Sequence, residues 1–544
     1  MHLLVPTLIL ACSPDKPAPE ATGPTFPHTG YEGDGGGDLP TTGDGGEAGW
    51  SWGSTATIEE ADTRVSNPAD QYRSMLTLEV PGDTDGDGRD DLAIGVPYAA
   101  GNLGRVYLVA GQRWRAGIEL DGLPGIDGEF EDGELGGVVT IGDVNGDGLA
   151  DLGMTHGSSG EGLNLPAMVL YGRSEPLSAS ILASESDVIL LPGDGLSNNL
   201  RSGPGDLDGD GFDDLIVVNA GLDQGTWWFV GGGGALGGED MLSTFAEADI
   251  RGSLGWGELT LRGSTDVDGD SYADLLFERS PGPKATHGLL IRGGPSFVDG
   301  PFALSERMTV FSSGGPAHFS SNTPWPDIDG DGLGEISLRL SGDPDQTVVC
   351  LGREAWPEEL SAVDCELQLF SGTDWRPSPS GDLDGDGHRE LLASLSTDEE
   401  EALAIVPGRA SWPSSVGIEE LATRIEAAEG GLELPGVPGL DEVGDFDGDG
   451  REDLIFTSPG ATVAGLDEAG FVGVLLGRSE WPEAMTVEDL DLRILGDFEG
   501  QRLGDQVVRG DFDGDGRTDL AMVSRYVVEP DWRAAVYVFF GQPR

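Results

Sequence analysis

Residues 83–92 read DTDGDGRDDL, and this stretch places the carboxylates of Asp83, Asp85, Asp87 and Asp91 within nine positions. Side chains of like charge repel one another at such short range. The segment also contains two glycines, which permit a sharp turn of the backbone. The stretch is therefore a tight acidic loop whose charge has to be offset by something else.

The same nine-residue pattern occurs eight times along the chain, and successive copies start 55 to 66 residues apart. A period this regular is typical of a repeat architecture. The eight copies read DTDGDGRDD (from 83), DVNGDGLAD (143), DLDGDGFDD (206), DVDGDSYAD (266), DIDGDGLGE (327), DLDGDGHRE (382), DFDGDGRED (445) and DFDGDGRTD (511).

Each repeat contains four short apolar runs separated by turns rich in Gly, Pro and Asp. Examples are MLTLEV (75–80) before the acidic loop, DLAIGVP (91–97) after it, GRVYLVAG (104–111) as a third run and TVEDLDLRILG (486–496) as a fourth. Four short strands per repeat are typical of a blade of a β-propeller. The 89 glycines among 544 residues also favour an all-β, turn-rich chain.

The two ends of the repeat array complement each other. The last repeat stops after its third run, AAVYVFFGQPR (534–544), whereas STATIEEADTRVS (54–66) resembles the fourth run AMTVEDLDLRILG (484–496). We therefore expect the N-terminal strand to complete the last blade and close the ring, which leaves no open sheet edge. The sequence predicts an all-β, eight-bladed β-propeller of four-stranded blades, and seven blades with one aberrant repeat is the alternative.

The spacing of the acidic loop suits calcium, which accepts six to eight hard oxygen ligands. Carboxylate or amide oxygens at positions 1, 3, 5 and 9 and the backbone carbonyl at position 7 supply such ligands. We expect about eight calcium sites between strands. Asn145 and Glu335 keep an oxygen ligand, His388 offers only its carbonyl, and Ser271 replaces a turn glycine.

The predicted side-chain ligands at position 1 are Asp83, Asp143, Asp206, Asp266, Asp327, Asp382, Asp445 and Asp511. Those at position 3 are Asp85, Asn145, Asp208, Asp268, Asp329, Asp384, Asp447 and Asp513. Those at position 5 are Asp87, Asp147, Asp210, Asp270, Asp331, Asp386, Asp449 and Asp515. The predicted carbonyl ligands at position 7 are Arg89, Leu149, Phe212, Tyr272, Leu333, His388, Arg451 and Arg517. Those at position 9 are Asp91, Asp151, Asp214, Asp274, Glu335, Glu390, Asp453 and Asp519.

Charge excludes several classes of partner. With 98 acidic and 30 basic residues the formal net charge is −68, which repels nucleic acid and anionic membrane surfaces. Eight calcium ions would reduce this charge to −52. No apolar run reaches the roughly 18 residues that a membrane-spanning helix needs.

The N-terminal segment has a different composition. Residues 1–12, MHLLVPTLILAC, resemble a bacterial lipoprotein signal in which Cys12 is lipidated, although the segment lacks Lys and Arg and has a bulky Leu10. Residues 13–50 are rich in Gly, Pro, Asp and Thr and are predicted to be a disordered tether. The alternative is a poorly defined start before a disordered tail. We assign 51–544 to the propeller and expect export to the cell envelope, as an outer-membrane lipoprotein or extracellularly.

The repeats resemble the FG-GAP repeats of the integrin α-subunit propeller and its bacterial relatives. LGGVVTIGDVNGDGLADL (135–152) and GQRLGDQVVRGDFDGDGRTDL (500–520) carry the resemblance, with Leu135-Gly136 and Leu503-Gly504 in place of FG and GVP (95–97) in place of GAP. The resemblance implies a propeller with calcium in its hairpin loops and a role in extracellular adhesion or ligand binding. Integrin propellers have seven blades and metal in only some of them.

Other residues are candidates for a ligand-binding face or for stabilising contacts. Tyr98, His156, Tyr526 and Trp532 lie in variable loops on the face opposite the acidic loops, where binding loops commonly occur. Trp356, Trp412 and Trp481, in three copies of a GRxxWP segment, could stack on a sugar but are predicted to pack between strands or blades. Cys350 and Cys365 lie on strands that should pair, as a disulfide or as two buried thiols.

These features predict a calcium-binding surface scaffold, not an enzyme, that binds a protein or glycan ligand and contacts the membrane only through a lipid anchor. No zinc pattern, nucleophile elbow or phosphate loop occurs in the sequence. The alternatives are an extracellular polysaccharide lyase or hydrolase built on a propeller, and a purely structural envelope protein.

Overall fold

The computed structural model describes most of the repeat array. The ranges described are 50–66, 76–114, 117–157, 164–175, 177–192, 197–201, 203–220, 226–234, 236–241, 248–251, 258–280, 287–295, 297, 307–313, 318–341, 346–370, 375–396, 401–426, 444–524 and 534–544. The predicted signal segment with Cys12, the tether up to residue 49, Tyr526 and Trp532 lie outside these ranges.

Eight small sheets form eight blades, each an antiparallel meander of the predicted strands. We number blades and acidic loops together, from loop 1 at Asp83 to loop 8 at Asp511. First strands are Thr77–Gly82, Leu135–Thr140, Ser197–Arg201, Glu258–Thr265, His318–Trp325, Arg376–Pro379 and, in blade 8, Val507–Gly510. Second strands are Asp91–Val96, Leu152–His156, Leu215–Ala220, Asp274–Ser280, Glu335–Ser341, Leu391–Ser396, Leu454–Ser458 and Asp519–Ser524.

The third and fourth strands complete each meander. Third strands are Arg105–Val109, Ala167–Leu170, Thr226–Val230, His287–Ile291, Gln346–Cys350, Glu401–Val406, Phe471–Leu475 and Ala535–Phe539. Fourth strands are Ile126–Asp127, Val188–Leu191, Ala248–Arg251, Met308–Ser312, Leu367–Leu369, Thr423–Glu426, Leu492–Leu495 and, in blade 8, Thr63–Ser66. In blade 7, the described part of the first strand is a single bridge between Gly444 and Asp453.

A fifth, parallel strand extends seven of the eight blades within the described residues, which the sequence did not predict. Each fifth strand comes from the following repeat and pairs with the fourth strand of the blade before it. The fifth strands of blades 1, 2, 4, 5, 6, 7 and 8 are Ile181–Leu182, Gly238–Met241, Glu359–Ser361, Ser415–Val416, Ala484–Thr486, Ser54–Thr57 and Ile118–Glu119.

After the fifth strand, which pairs with the preceding blade, the chain makes a single 3₁₀ turn. It then enters the fourth strand of the next blade. In the N-terminal copy, the backbone N–H of Thr57 donates to Glu60 Oε2 at 2.8 Å, which caps this turn. The 3₁₀ turns are Ile58–Glu60, Leu120–Gly122, Ala183–Glu185, Ala362–Asp364, Ile418–Glu420 and Val487–Asp489. The only helical turn in the described ranges other than these is Ala99–Asn102, in which Ala100 and Gly101 have positive φ of +51° and +74°.

The N-terminal segment closes the ring as predicted. Ser54–Thr57 pairs in parallel with Leu492–Leu495 of blade 7, and Thr63–Ser66 pairs antiparallel with the third strand of blade 8. The two ends of the repeat array are thus held by two sheets, and the eight-bladed prediction is confirmed over the seven-bladed alternative.

First strands lie at the centre of the ring, where neighbouring blades meet. Thr77 Oγ1 donates to the carbonyl of Gly136 in the next blade, and the backbone N–H of Leu78 donates to Gln506 Oε1 of blade 8 at 3.0 Å. A Cβ on Gly95 would lie 1.9 Å from the carbonyl oxygen of Gly136. The glycines of the GVP and Leu-Gly segments are therefore required by the close approach of neighbouring blades.

The core lies between blades, so second and third strands are buried on both faces. One continuous cluster, for example, joins Val65, Leu92 and Tyr107 to Phe512 and Val536 across the closure of the ring. Burial on both faces explains why these strands are nearly continuous apolar runs. Among the described residues, no helix is both long and apolar enough to cross a bilayer.

Candidate metal sites

Each acidic loop turns around the carboxylate at position 1. In loop 1, Asp83 accepts the backbone N–H of Gly86 at 2.6 Å and that of Gly88 at 2.8 Å. The same two contacts recur in the other seven loops. This arrangement needs positive φ at positions 4 and 6, where glycine is favoured. Ser271 adopts φ +71° at position 6, so the serine there takes a conformation that its side chain disfavours.

The position-9 carboxylate enters from the start of the second strand and is fully buried. All eight of these side chains belong to residues that are 0–1% exposed. In loop 8, Asp519 accepts the N–H of Phe512 at position 2 and that of Gly541 after the third strand, both at 2.8 Å. The acid therefore connects the loop to the segment that follows the third strand on the same face.

Burial makes these acids hard to ionise when no cation is near. Desolvation raises the pKa of Asp91 to about 6, of Asp519 to about 8 and of Glu335 to about 9. It raises the pKa of Asp151, Asp214, Asp274, Glu390 and Asp453 to about 7. Neighbouring loop carboxylates add to the shift, so a cation in the loop would oppose both effects.

The carboxylates of at least five loops converge closely enough to hold a metal ion. In loop 5, one oxygen each from Asp327, Asp329, Asp331 and Glu335 lie within 4.8 Å of one another, and groups of three carboxylates in loops 1, 3, 4 and 6 have the same spacing. Glu335 Oε1 and Asp268 Oδ1 are buried without a hydrogen-bond partner. An all-oxygen donor set with such unpaired carboxylate oxygens fits a hard cation such as calcium.

Side chains at position 7 contact the neighbouring acidic loop. In all eight loops the position-7 side chain lies near the position-4 glycine of the preceding loop. A Cβ on Gly209, for instance, would lie 2.0 Å from Tyr272 Cε1, and His388 lies beside Gly330. The imidazole of His388 therefore lies over the neighbouring loop, and the predicted ligand at this position remains its carbonyl.

Backbone hydrogen bonds connect neighbouring acidic loops around the ring. In seven of the eight described junctions, the N–H at position 8 of one loop donates to the position-1 carbonyl of the preceding loop, at 2.7–3.2 Å. The bond from Asp90 to Asp511 crosses the closure of the ring at 3.1 Å. Asp90, Asp213 and Glu452 also accept the position-1 N–H of the preceding loop. The sequence analysis did not identify these position-8 acids, although each directly precedes the position-9 acid in the sequence.

We call the gap between neighbouring blades beneath the acidic loops the interblade slot. Among the residues that the structure describes, an aromatic ring fills six of the eight slots. Trp356 Nε1 donates to Val267 O at 3.2 Å, and Trp412 Nε1 donates to Ile328 O at 3.0 Å. The residues that fill slots 3/4, 4/5, 5/6, 6/7, 7/8 and 8/1 are Phe297, Trp356, Trp412, Trp481, Trp50 and Trp114. The three GRxxWP tryptophans thus pack between blades.

The predicted ligand face holds fewer exposed residues than expected. His156 is only 5% exposed, its Nδ1 lies 3.0 Å from Pro166 O, and Phe130 packs edge-on against its ring. Burial lowers the pKa of His156 to about 4. The prediction of His156 as an exposed contact is therefore wrong, because the residue ends a second strand that packs between blades. Tyr98 is half-buried beside the helical segment Ala99–Asn102.

Two cysteines of blade 5 are covalently joined. The structure places a disulfide between Cys350, at the end of the third strand of blade 5, and Cys365, just before the fourth strand. Their Cα atoms are 4.4 Å apart.

Comparisons with known proteins agree with this geometry. The FG-GAP repeat family model matches residues 79–109 and 442–475. Integrin alpha-V of Gallus gallus is 28% identical over 241 residues, which is 41% of this chain and 22% of that protein. The chain is a β-propeller in which two segments match the FG-GAP repeat, and it is similar to integrin alpha-V over about a fifth of that relative's length.

One solved structure resembles the chain along most of its length. It is described as the crystal structure of exotype rhamnogalacturonan lyase YesX, with 12% identity, 90% of this chain and 91% of that chain covered, and a TM-score of 0.36. A likeness this low does not indicate shared chemistry.

Proposed function

We propose that this protein is an exported, calcium-binding β-propeller that serves as a rigid adhesion or ligand-binding scaffold. The observation that carries the calcium part is the burial of a carboxylate at position 9 of all eight loops, each beside further acids of the same loop. Burying ionised carboxylates without a counter-charge is costly, and a divalent cation removes that cost.

Calcium titration with matched stability measurements tests this proposal. We expect the protein, stripped with a chelator, to bind about eight calcium ions and to gain a large increase in melting temperature, because metal binding to the folded state stabilises it. Magnesium should be less effective, since its small octahedral shell suits these loops poorly. An unchanged melting curve after rigorous stripping and reloading would contradict the proposal.

The scaffold role is supported by the separation of the two faces. The second-to-third loops and the interblade connections lie opposite the acidic loops, where Asn102 Nδ2 donates to Asp132 Oδ1 at 3.1 Å and the Leu103 carbonyl accepts the N–H of Leu135. Loops on a rigid frame commonly carry binding residues. We propose that a protein or glycan ligand binds this face and that the protein acts outside the cytoplasm, with a lipid anchor on Cys12 as its only membrane contact.

A glycan and protein array, run with calcium and with chelator, separates the scaffold from its alternatives. Selective retention that depends on calcium supports ligand binding. Cleavage of a retained polysaccharide would replace our proposal of a non-enzyme with a lyase or hydrolase. Absence of any selective retention would favour a purely structural envelope protein.

A further inference from the structure

The interblade slot between blades 1 and 2 differs from the slots that hold a ring. In slots 4/5, 5/6 and 6/7 a GRxxWP segment supplies a tryptophan, and its arginine lies over that ring at 4.5, 4.8 and 5.3 Å from the guanidinium carbon to the ring centre. The same arginine pairs with an acid near the fourth strand, as in Arg353–Glu366 at 2.9 Å and Arg409–Glu420 at 3.0 Å. Arginine, ring and acid form one unit.

Slot 1/2 keeps the arginine and the acid, but its GRxxWP-like segment has no tryptophan. The corresponding segment reads GRSEPL (172–177), with Pro176 where the others have tryptophan. Arg173 still pairs with Asp187 at 2.7 Å, in the manner of its counterparts. The arginine is therefore positioned for a ring that this segment of the chain does not provide.

A cavity of about 270 Å³ lies at this place. Its apolar lining includes Leu108, Trp114, Leu170 and Leu177, and Thr84 and Arg173 also face it. A cavity of roughly 150 Å³ already holds benzene in an engineered protein interior, so this one has room for a larger ring. Loop position 2 is Thr84 here, whereas it is apolar in the other seven loops: Val144, Leu207, Val267, Ile328, Leu383, Phe446 and Phe512.

We propose that this cavity binds an aromatic side chain of a partner protein, an indole ring above all, in the place that the chain's own tryptophan occupies in slots 4/5 to 6/7. The ring would stack on Arg173, as cations do on aromatic faces. Its N–H would donate to Thr84 O, which already accepts the Arg173 N–H at 2.7 Å.

A carbonyl at this position can accept two donors, because Val267 O accepts both the backbone N–H of Arg353 at 2.9 Å and Trp356 Nε1 at 3.2 Å. A polypeptide is the expected source of the ring, since the equivalent rings arrive on a turn whose backbone stays at the surface. The inference goes beyond the scaffold role and does not rest on calcium binding.

Calorimetric titration of the full chain with N-acetyl-tryptophanamide tests the site, with N-acetyl-leucinamide as the control probe. We expect saturable binding of the tryptophan probe to one site and binding of the leucine probe weaker by more than about tenfold, because the two probes share their amide groups but the leucine side chain has neither a ring nor an N–H donor. The titration is run in calcium and in chelator. The ring site is judged by probe binding, whereas the calcium proposal is judged by the change in melting temperature, so each proposal can fail without the other.

Two sets of variants locate the binding. The double substitution Pro176→Trp with Leu177→Pro recreates GRSEWP (as in 477–482) and should abolish probe binding by filling the cavity. Arg173→Ala should weaken binding about two- to fivefold through loss of the stacked cation. The matched control Arg353→Ala, next to a filled slot, should leave binding unchanged.

Two outcomes would overturn the site: no saturable binding by the folded wild-type chain, or equal binding by the filled variant. If the filled variant does not fold, the comparison of Arg173→Ala with Arg353→Ala decides, and equal binding by those two variants counts against the site.

Discussion

At the scale of single residues, the proposed calcium sites depend most on the carboxylate at loop position 9. It starts the second strand, is excluded from water and accepts two backbone N–H groups in most loops, as Asp519 does in loop 8. Glu335 differs, because only its Oε2 accepts a bond, from the N–H of Ile328 at 3.1 Å. Its other oxygen, Oε1, has no hydrogen-bond partner, and we propose that it binds a cation.

Glu335→Gln tests that assignment. Because burial raises the pKa of Glu335 to about 9, the residue is protonated at pH 7 in chelator, and a neutral glutamine should change the melting temperature little. In calcium the variant should bind one ion fewer and melt at a lower temperature. Asp213→Asn is the control, since this position-8 acid is not a predicted ligand and its loss should leave the number of bound ions unchanged. Equal calcium stoichiometry for Glu335→Gln and wild type would refute the role.

Ser271→Gly tests the cost of a side chain at loop position 6. Ser271 adopts φ +71°, where non-glycine residues cost about 1 kcal/mol or more. The glycine variant should be more stable by about 1 kcal/mol in urea unfolding. Gly332→Ser, the reverse change in the next loop at φ +90°, should be destabilising by a similar amount. A loss of stability in Ser271→Gly would show that the serine side chain makes a compensating contact.

At the scale of elements, the slot residues join one blade to the next. Trp356 is 7% exposed, packs edge-on against Phe311 and donates to Val267 O in the preceding loop. One side chain therefore contributes both burial and a hydrogen bond across the interface of two blades.

Substitution of Trp356 separates these two contributions. Trp356→Phe keeps a ring but leaves Val267 O without the indole donor, and should cost about 1 kcal/mol. Trp356→Ala also removes the buried ring and should cost about 3–5 kcal/mol. Urea unfolding in saturating calcium measures both free energies. Equal losses for the two variants would mean that the hydrogen bond, and not packing, dominates.

At the scale of the whole molecule, eight buried acids make the stability of the calcium-free protein depend on pH. Their pKa values in the folded state, about 6 to about 9, lie above those of unfolded Asp and Glu, about 3.9 and 4.3. The folded state therefore binds more protons than the unfolded state between these values. The resulting stabilisation is full below about pH 4 and is lost as pH rises through the folded pKa values.

We therefore expect the melting temperature in chelator to fall as pH rises from about 5 to 8. In saturating calcium this fall should be abolished or reversed, since calcium competes with protons for the same oxygens. Scanning calorimetry at several pH values, in chelator and in calcium, measures both slopes. A melting temperature that rises with pH in chelator would contradict the prediction.

Closure of the ring predicts a large effect of N-terminal truncation. A chain that starts at residue 67 lacks the fourth strand of blade 8 and the fifth strand of blade 7, both supplied by 54–66. It should melt at a markedly lower temperature and self-associate through the exposed edges. A chain that starts at residue 50 is the control and should stay as stable as the full chain. Light scattering and thermal unfolding compare the two, and equal behaviour would exclude a closing role for 54–66.

Much of this architecture could be predicted from local sequence. The period of the acidic loops gave the number of repeats, and the similarity of 54–66 to 484–496 gave the closing strand. Both are encoded within short segments. The fifth strands were missed because segments such as Ile181–Leu182 pair only with a neighbouring blade, and a two-residue strand has no periodicity of its own.

The sequence by itself determined the repeat, the strand order within a blade and the oxygen donors of each loop, because turns and ligand spacing are local properties of the chain. Only the tertiary structure decided that the position-9 carboxylates are buried away from solvent, that His156 is buried and that slot 1/2 contains a cavity. Those properties depend on which side chains of other strands and of the adjacent blade fill the space, as Leu108 of blade 1 and Leu170 of blade 2 do around the cavity of slot 1/2.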